Sequence, residues 1–571
     1  MLDVVSAVLR HAAERPDAVA VQLFSKRSRP AIQTWREMAE AARRAAGFLH
    51  RTGVRRGDIV VLIGTHQIDL YGVWLGCVWL GAIPTILAEP SVRVNPEIYW
   101  SRLGELLRRI NAWGLAYDPK VKIQRELLMV PQAHAYDAIT AITVEADQAS
   151  QPTPEPVRPA ADDILLLQHS SGTTGLQKGV VLSHCAVWRH AESYNRVLQL
   201  SPADRIASWL PLYHDMGFIA CFLNPLLSGV PVVWLSPFEW VANPALLLEA
   251  VTQHKATLTW LPNFAFQFLA QRVKHEPGRF DLSSLRAVVN CSEPVTAEVM
   301  HAFQERFAPE GLSPDALHTC YAMAENVFAV SSSHASCPPR ERRIVRSVWH
   351  AEHRSVVSLD NAPNTITHVS NGRCVPDCEL RIVDDEQQIL PSGIAGMVQI
   401  RSPFLFSGYF GRDDLNPTIF DADGFYDTGD LGYLDEDGHV YITGRKKDLI
   451  IVGGRNIYPQ DVEQLAGEVP GVYPGRAVCF GVSIRDLGTE GLVILVESNE
   501  PVEGWEEIAR QVRVIVPNRL DLDVFDVRVQ SHGTLRKSTS GKLARQGNRE
   551  WYLTGRFGAL PDAVVNDLAS L

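Results

Sequence analysis

Two apolar runs separated by a stretch with almost no side-chain bulk set the tightest limit on what this chain can fold into. Residues Leu165–His184 read LLLQHSSGTTGLQKGVVLSH. The run Ile164–Leu167 is apolar at every position, which predicts a strand buried on both faces, and a second apolar run follows Gly179. Between them lie Ser170–Gly175, made only of Ser, Gly and Thr, and then Lys178. Glycines let backbone N–H groups close on phosphate oxygens with no Cβ in the way, and hydroxyls add donors. A lysine supplies a compact charge for the far end of a polyphosphate. A plain flexible turn has the same composition. Two other phosphate loops fail on spacing. The Walker pattern needs Gly immediately before its lysine, where this chain has Gln177, and the stretch contains no G-x-G-x-x-G.

The rest of the chain is patterned to surround such a loop with sheet and helix. Its 571 residues are 46% apolar and 21% charged, enough for a large core. A helical pattern at Trp35–His50 alternates with short apolar strands at Asp58–Ile63 and Ile83–Leu87, which predicts a parallel sheet covered on both faces. Tyr71–Ala88 runs for eighteen residues without a charge, the length of a membrane span. Gly81 and Pro84 divide it into a buried helix and a buried strand, so no span is expected. Ala146–Asp163 is a Pro-rich polar connector. Further strands are predicted at Ala207–Leu210, Pro231–Leu235, Thr257–Leu261 and Leu285–Asn290. From Glu379 the pattern becomes strand–turn–strand (Glu379–Val383, Met397–Arg401), which predicts a smaller antiparallel or barrel-like subdomain. The residues after Gly444–Asp448 (GRKKD) read as a compact α/β unit.

Composition removes several function classes. The net charge is −11, against the basic face that a general nucleic-acid binder needs. Met1–Pro16 reads as an amphipathic helix carrying Asp3, Arg10, Glu14 and Arg15, not as a secretory signal. The nine cysteines show no zinc-site or Cys-x-x-Cys spacing, so reduced thiols in a cytoplasmic protein are expected. Charge divides unevenly, −9 over residues 1–445 and −2 over 446–571.

Four further stretches carry groups that suit a nucleotide. Tyr321–Glu325 (YAMAE) puts a lone carboxylate after a predicted strand, where it suits a divalent ion bridging phosphates; alone such a residue is more often a surface glutamate. Tyr426–Gly432 (YDTGDLG) puts Asp430 in a predicted tight turn. A carboxylate there can accept both ribose hydroxyls, although turns also use Asp for their own backbone. Gly444–Asp448 supplies Arg445, a planar donor for a ribose or phosphate oxygen. Ser538–Arg545 (STSGKLAR) puts Lys542 on a Gly-preceded loop, a place where lysines are otherwise merely solvated.

Together and in this order, these stretches resemble the adenylate-forming superfamily of acyl- and aryl-CoA synthetases, luciferases and peptide-synthetase adenylation domains. The resemblance runs from the opening helix to about Gly555. Within it the chain is most similar to fatty acyl-AMP ligases, which load acyl carrier proteins of polyketide or peptide synthases. The residues that carry this are Trp209–Gly217 (WLPLYHDMG), Pro262–Phe266 (PNFAF), Asn290–Pro294 (NCSEP), Gly454–Glu463 (GRNIYPQDVE) and Arg549–Gly555 (REWYLTG). An insertion in that subfamily, thought to restrain domain rotation and disfavour coenzyme A, is expected at residues 340–368. An ordinary variable loop is the alternative.

The resemblance implies an α/β chain. Residues 1–445 would form a large AMP-binding domain of parallel αβα sheets with a small β-barrel-like subdomain, and 446–571 a small mobile α+β domain hinged near Lys447. It implies ATP with Mg2+, a fatty acid, an acyl-adenylate formed with release of pyrophosphate, and transfer to a carrier's phosphopantetheine thiol. Ser171, Gly172, Thr173, Thr174, Gly175 and Lys178 would line the phosphates, with Glu325 and Thr174 toward Mg2+. Ser292, Glu293 and Pro294 would follow the adenine pocket with Tyr321, Ala322 and Met323. Asp430 and Arg445 would hold the ribose, and Lys542 the substrate carboxylate and α-phosphate. His214 would border the acyl pocket, lined by Trp209, Phe264, Phe266 and Met323.

Three departures from the family pattern stand out: Gln177 and Arg536 where Pro is usual, and Ala322 where Gly is usual. Two alternatives stay open. One is an acyl-CoA synthetase using free coenzyme A. The other is a non-catalytic relative that only binds nucleotide or acyl ligands. The basic tail residues Arg536, Lys537, Lys542, Arg545 and Arg549 are also candidates for steering an acidic carrier, or for serving ATP and solubility alone.

Overall fold

The computed structural model describes residues 3–26, 30–64, 66–90, 96–124, 128, 132–136, 153–169, 178–335, 337–358, 365–452, 455–484, 490–520, 522–537, 542–561 and 563–564. The chain is α/β, as expected. Its largest element is a nine-stranded sheet whose middle strands, Leu317–Ala322, Ala287–Cys291, Leu258–Leu261, Ile206–Ser208, Val232–Leu235 and Val19–Phe24, run parallel. Antiparallel strands close both edges, Ala31–Thr34 at one and Ala329–Ser332 with Arg373–Cys374 at the other. A second parallel sheet has Ile83–Leu87 at its edge, beside Ile59–Ile63. Edge placement explains how Pro84, which has no N–H to donate, is tolerated there.

The uncharged stretch 71–88 resolves as expected into the helix Ile68–Trp79 and that buried edge strand. No helix among the described residues is long and apolar enough to cross a membrane. The described part of the connector is pinned to this unit: the Trp79 indole donates to the Pro154 carbonyl at 2.8 Å and Arg56 pairs with Asp163 at 2.6 Å. The opening helix spans Val4–Glu14 and is capped by the Asp3 carboxylate, which accepts from the Ser6 amide at 3.0 Å.

The two apolar runs that open the sequence argument form an antiparallel pair, Ile164–His169 with Gly179–Ser183. Residues 170–177 between them lie outside the described residues, and with them the expected phosphate-lining Ser171, Gly172, Thr173, Thr174 and Gly175. The expected strand–turn–strand region is a four-stranded antiparallel sheet of Glu379–Val383, Gly396–Arg401, Tyr426–Leu434 and Val440–Arg445. The sheet is followed by the one-turn helix Lys446–Asp448. From Ile450 onward the chain builds cores of its own on a three-stranded sheet, Val472–Ser483, Glu490–Ser498 and Val524–Ser531. The helices Pro459–Gly467, Trp505–Leu520 and Arg545–Leu553 belong to this region.

Residues 340–358 and 365–368 of the expected insertion are described, and they form regular elements. Strands Glu341–Val345 and Thr365–Val369 pair antiparallel around the helix Arg346–Glu352. Ile344, Trp349 and Ile366 are buried in one cluster with Tyr433, Tyr441 and Tyr458.

Candidate active site

Parallel pairing brings the carboxyl ends of three strands to one rim, where open α/β sheets bind their ligands. Ile206–Ser208 leads to His214 and Asp215, Ala287–Cys291 to Ser292 and Glu293, and Leu317–Ala322 to Met323 and Glu325. The first of these strands was expected to run to Leu210. It stops at Ser208, before Trp209, Leu210 and Pro211. Gly217 lets the next turn fold back closely: a Cβ there would lie 2.3 Å from the Pro211 carbonyl oxygen. The segment then enters a π-helix, Met216–Leu223, a form that recurs at functional sites.

Lys542 arrives at this rim from the C-terminal region. Its ammonium donates to the carbonyl of Ser292, a residue held at φ +71°. Glu293 accepts from the Phe264 amide at 2.8 Å; burial pushes its carboxyl up, and the Lys542 charge pulls it back. Burial also raises Asp215, against the Met216 amide and Lys542. His214 is driven down to about 3 by burial and then by Lys542, so it is a neutral ring throughout the physiological range. Pro294, expected beside them, is exposed. Asp215 was missed in the sequence although it lies inside the quoted WLPLYHDMG. Its signal is an aspartate directly before the apolar run Met216–Leu223, whose first amide it accepts at 2.8 Å.

Asp430 was expected in a tight turn and instead lies within the nine-residue strand Tyr426–Leu434. The turn-like sequence reflects an irregularity in that strand: Gly429 sits at φ +69° and its amide donates to the Asp427 carboxylate at 2.9 Å. Antiparallel register sets Asp430 opposite Arg445, and the two side chains pair at 3.0 Å. The Tyr321 hydroxyl donates to the other Asp430 oxygen at 2.6 Å. Burial raises the Asp430 carboxyl, with Arg445 the largest opposing influence.

Glu325 lies in a one-turn helix and accepts from the Tyr409 hydroxyl at 2.9 Å. That hydroxyl also meets the Tyr426 hydroxyl at 3.1 Å, and the Lys178 ammonium stands 4.7 Å from the Tyr409 ring centre. Burial pushes Glu325 up, and Asp215 adds to the shift. A desolvated carboxylate that a second carboxylate raises further, with the Tyr409 hydroxyl and Arg445 opposing, gains from added positive charge, so the donor chemistry fits a hard divalent cation. Among the described residues no three His, Cys, Asp or Glu side chains group as a metal site. Such an ion would take its remaining ligands from phosphates and water.

Phe264, whose amide bonds Glu293, belongs to a cluster of four aromatic rings. Trp209 and Trp240 stack face to face at 3.7 Å and 4°, with Phe264 edge-on to both and Phe268 tilted on Trp240 at 5.5 Å. Phe266 does not share this face. On the helix Asn263–Arg272 it stands about 200° round from Phe264, and its ring packs on Phe303 at 4.7 Å. Met323 and Ala322 are half-buried against the large core.

The tail lysine's loop has a rigid base. Lys537 and Leu543 bridge, Asn548 accepts from the Arg536 amide at 2.8 Å, and its own amide donates to the Arg536 and Ala544 carbonyls at 2.9 Å. The expected basic docking face is largely consumed in internal pairs. Arg536 pairs with Glu550 at 2.8 Å, and Arg545 forks onto Glu463 at 2.8 and 2.6 Å while reaching Asp448 at 3.1 Å.

Residues 8–410 match the family described as AMP-binding enzyme. A protein named as an acyl-CoA synthetase from Caulobacter vibrioides is 29% identical over 89% of this chain and 88% of its own. The long-chain-fatty-acid–AMP ligase FadD32 of Mycolicibacterium smegmatis is 27% identical over 99% and 96%. The medium-chain-fatty-acid–[acyl-carrier-protein] ligase JamA of Moorena producens is 27% identical over 91% and 90%. A solved structure from work on the fatty acyl-adenylate ligases of E. coli and L. pneumophila superposes with a TM-score of 0.87 at 25% identity. It covers 97% of this chain and 98% of its own.

Proposed function

The chain belongs to the AMP-binding enzyme family, and on that premise we propose that it joins a fatty acid to AMP and then passes the acyl group to the phosphopantetheine thiol of an acyl carrier protein. AMP-forming fatty-acid ligation has the support of the relatives' names and of the superposed structure. The observation that carries the reading is Lys542, delivered from the far end of the sequence to the Ser292 carbonyl beside His214, Asp215 and Glu293.

In the first step a carboxylate oxygen attacks the α-phosphorus of ATP, the bond to the β-phosphate oxygen breaks, and pyrophosphate leaves. Two anions meet, and negative charge gathers on the non-bridging oxygens, so cations and fixed donors lower the barrier with little need for a general base. In our reading Lys542 holds the carboxylate and α-phosphate oxygens and Asp430, oriented by Arg445 and Tyr321, takes the ribose hydroxyls. Lys178 stands toward the phosphates, and neutral His214 packs at the acyl side. Glu325 would hold Mg2+, with the Thr174 hydroxyl assigned to the same ion by resemblance; a bound Mg2+ supplies positive charge to the phosphate oxygens. In the second step a thiol attacks the acyl carbon and AMP leaves. Pyrophosphate exchange with a mixture of acids, followed by mass spectrometry of the adenylate, tests the first step. Consumption of ATP only to ADP would refute it.

The choice of carrier over coenzyme A rests on the segment 340–368, which grips the C-terminal region. Trp349 stacks on Tyr458 at 5.5 Å and 26°, and His353 meets the same ring at 5.8 Å. A C-terminal region held this way resists the rotation that we assign to a hinge at Lys447. Trp349→Ala should leave carrier loading intact and raise thioester formation with free coenzyme A by about tenfold, the scale of one lost aromatic pair with its packing. Parallel assays with both acceptors decide it; equal coenzyme A turnover in variant and parent would remove the restraint.

The same contact buries Asp461, whose carboxyl is pushed up to about 7 by desolvation, with His350 at 3.6 Å driven down to about 4. An unfolded Asp titrates near 3.9. The folded form binds the proton more tightly, so this group's contribution is full below pH ~4 and lost as pH rises through about 7. Asp461→Asn should therefore stabilise the protein by up to about 4 kcal/mol at pH ~8 and by little at pH ~4. Urea unfolding across pH measures this, and a pH-independent difference would contradict it.

A further inference from the structure

We propose that the stacked indoles of Trp209 and Trp240 close the far end of the acyl site, so that Trp240 sets the longest straight-chain acid the enzyme activates. This rests on the fatty-acid reading above and deepens it to a length limit with a named residue.

The apolar surface begins next to the reacting end. The Phe264 amide is bonded to Glu293, the carboxylate that faces Lys542, and the Phe264 ring meets Trp209 at 6.3 Å and Trp240 at 6.4 Å. An acid held by its carboxylate at Lys542 thus runs its chain along Phe264 toward the two indoles. Their ring centres are 3.7 Å apart and their planes nearly parallel, so the gap between the rings is no wider than that. Carbon atoms in contact already need about 3.5–4.0 Å, so no methylene chain passes between them.

Beyond the pair lies the surface. Trp240 is fully buried on the short helix Pro237–Ala242, whose Phe238 and Val241 are 65% and 58% exposed. Those two are three residues apart and share the outer face, leaving Trp240 as the inward plug. Trp209 is fixed by the sheet, one residue past the strand Ile206–Ser208. Trp240 hangs on a helix tied by the Ser236 cap and by the Ser25 hydroxyl, which donates to Glu239 at 2.9 Å. It is therefore the half of the pair whose size can change with least disturbance to the rim that carries Lys542.

The test is pyrophosphate exchange across a homologous series of straight-chain saturated acids, with the parent, Trp240→Ala and Trp240→Phe. In the parent the rate should fall sharply past one chain length. In Trp240→Ala the fall should move several carbons longer, and the first acid the parent rejects should gain about tenfold or more in kcat/KM, the scale of one methylene admitted to an apolar pocket. Trp240→Phe should lie between them, and it decides the matter if the alanine variant does not fold. An unchanged cut-off in variants that melt like the parent overturns the proposal, as does a parent with no cut-off in the series. A parent that exchanges with no acid at all fails the fatty-acid reading itself, a different result from an unshifted cut-off.

Discussion

Lys542→Ala should slow pyrophosphate exchange by about 10²–10³-fold, the usual cost of removing one charge-bearing donor aimed at a transition state. Melting should barely change, because the side chain ends at the Ser292 carbonyl and the loop base is held separately by Asn548. The lysine also stands among half-buried Glu293 and Asp215, both raised by desolvation and both pulled back by its charge. Its removal should raise both carboxyls further and shift the pH profile of exchange upward, a change that a purely structural lysine would not produce. Acyl transfer from a supplied adenylate to the thiol should be slowed less, since the meeting of two anions that Lys542 offsets is already past in that step. Exchange at the parental rate would end the role given to Lys542.

The second large effect is on stability. Arg545→Ala should destabilise the C-terminal region by about 3 kcal/mol, since it strips the shared cation from two partly buried carboxylates. Its guanidinium forks onto Glu463 and reaches Asp448, tying the helices Arg545–Leu553 and Pro459–Gly467 to the turn Lys446–Asp448. Arg545→Lys keeps the charge and loses the fork, so it should recover only part of the loss. Chemical unfolding with carrier loading measured alongside separates this from docking. Unchanged stability with salt-sensitive loss of loading would restore the docking role that the sequence suggested.

That contrast shows where the sequence stops being informative. Arg545 and Lys542 are three residues apart in one basic stretch, and nothing local distinguishes them. One is buried in an acidic pair and the other projects to a rim built more than 200 residues earlier, a difference set by which elements pack against each. Phe264 and Phe266 were grouped for their chemistry alone; helical geometry parts them, and the 3.6-residue period could have warned of it. Asp430 looked like a turn residue because Gly429 and Thr428 flank it, while pairing with Gly396–Arg401 and Val440–Arg445 made the segment a strand.

Periodicity and local residue chemistry, which act over a few neighbours, determined the alternation of buried strands and helices, the breaking of 71–88 at Gly81, and the ordered motifs that mark the family. Contacts between distant segments were left to the tertiary structure. It alone decided that Asp215 joins the rim, that Trp240 stacks on Trp209, and that residues 340–368 grip Tyr458. The reason is physical: burial and pairing energies belong to neighbours in space, and no pattern along the chain encodes which ones they will be.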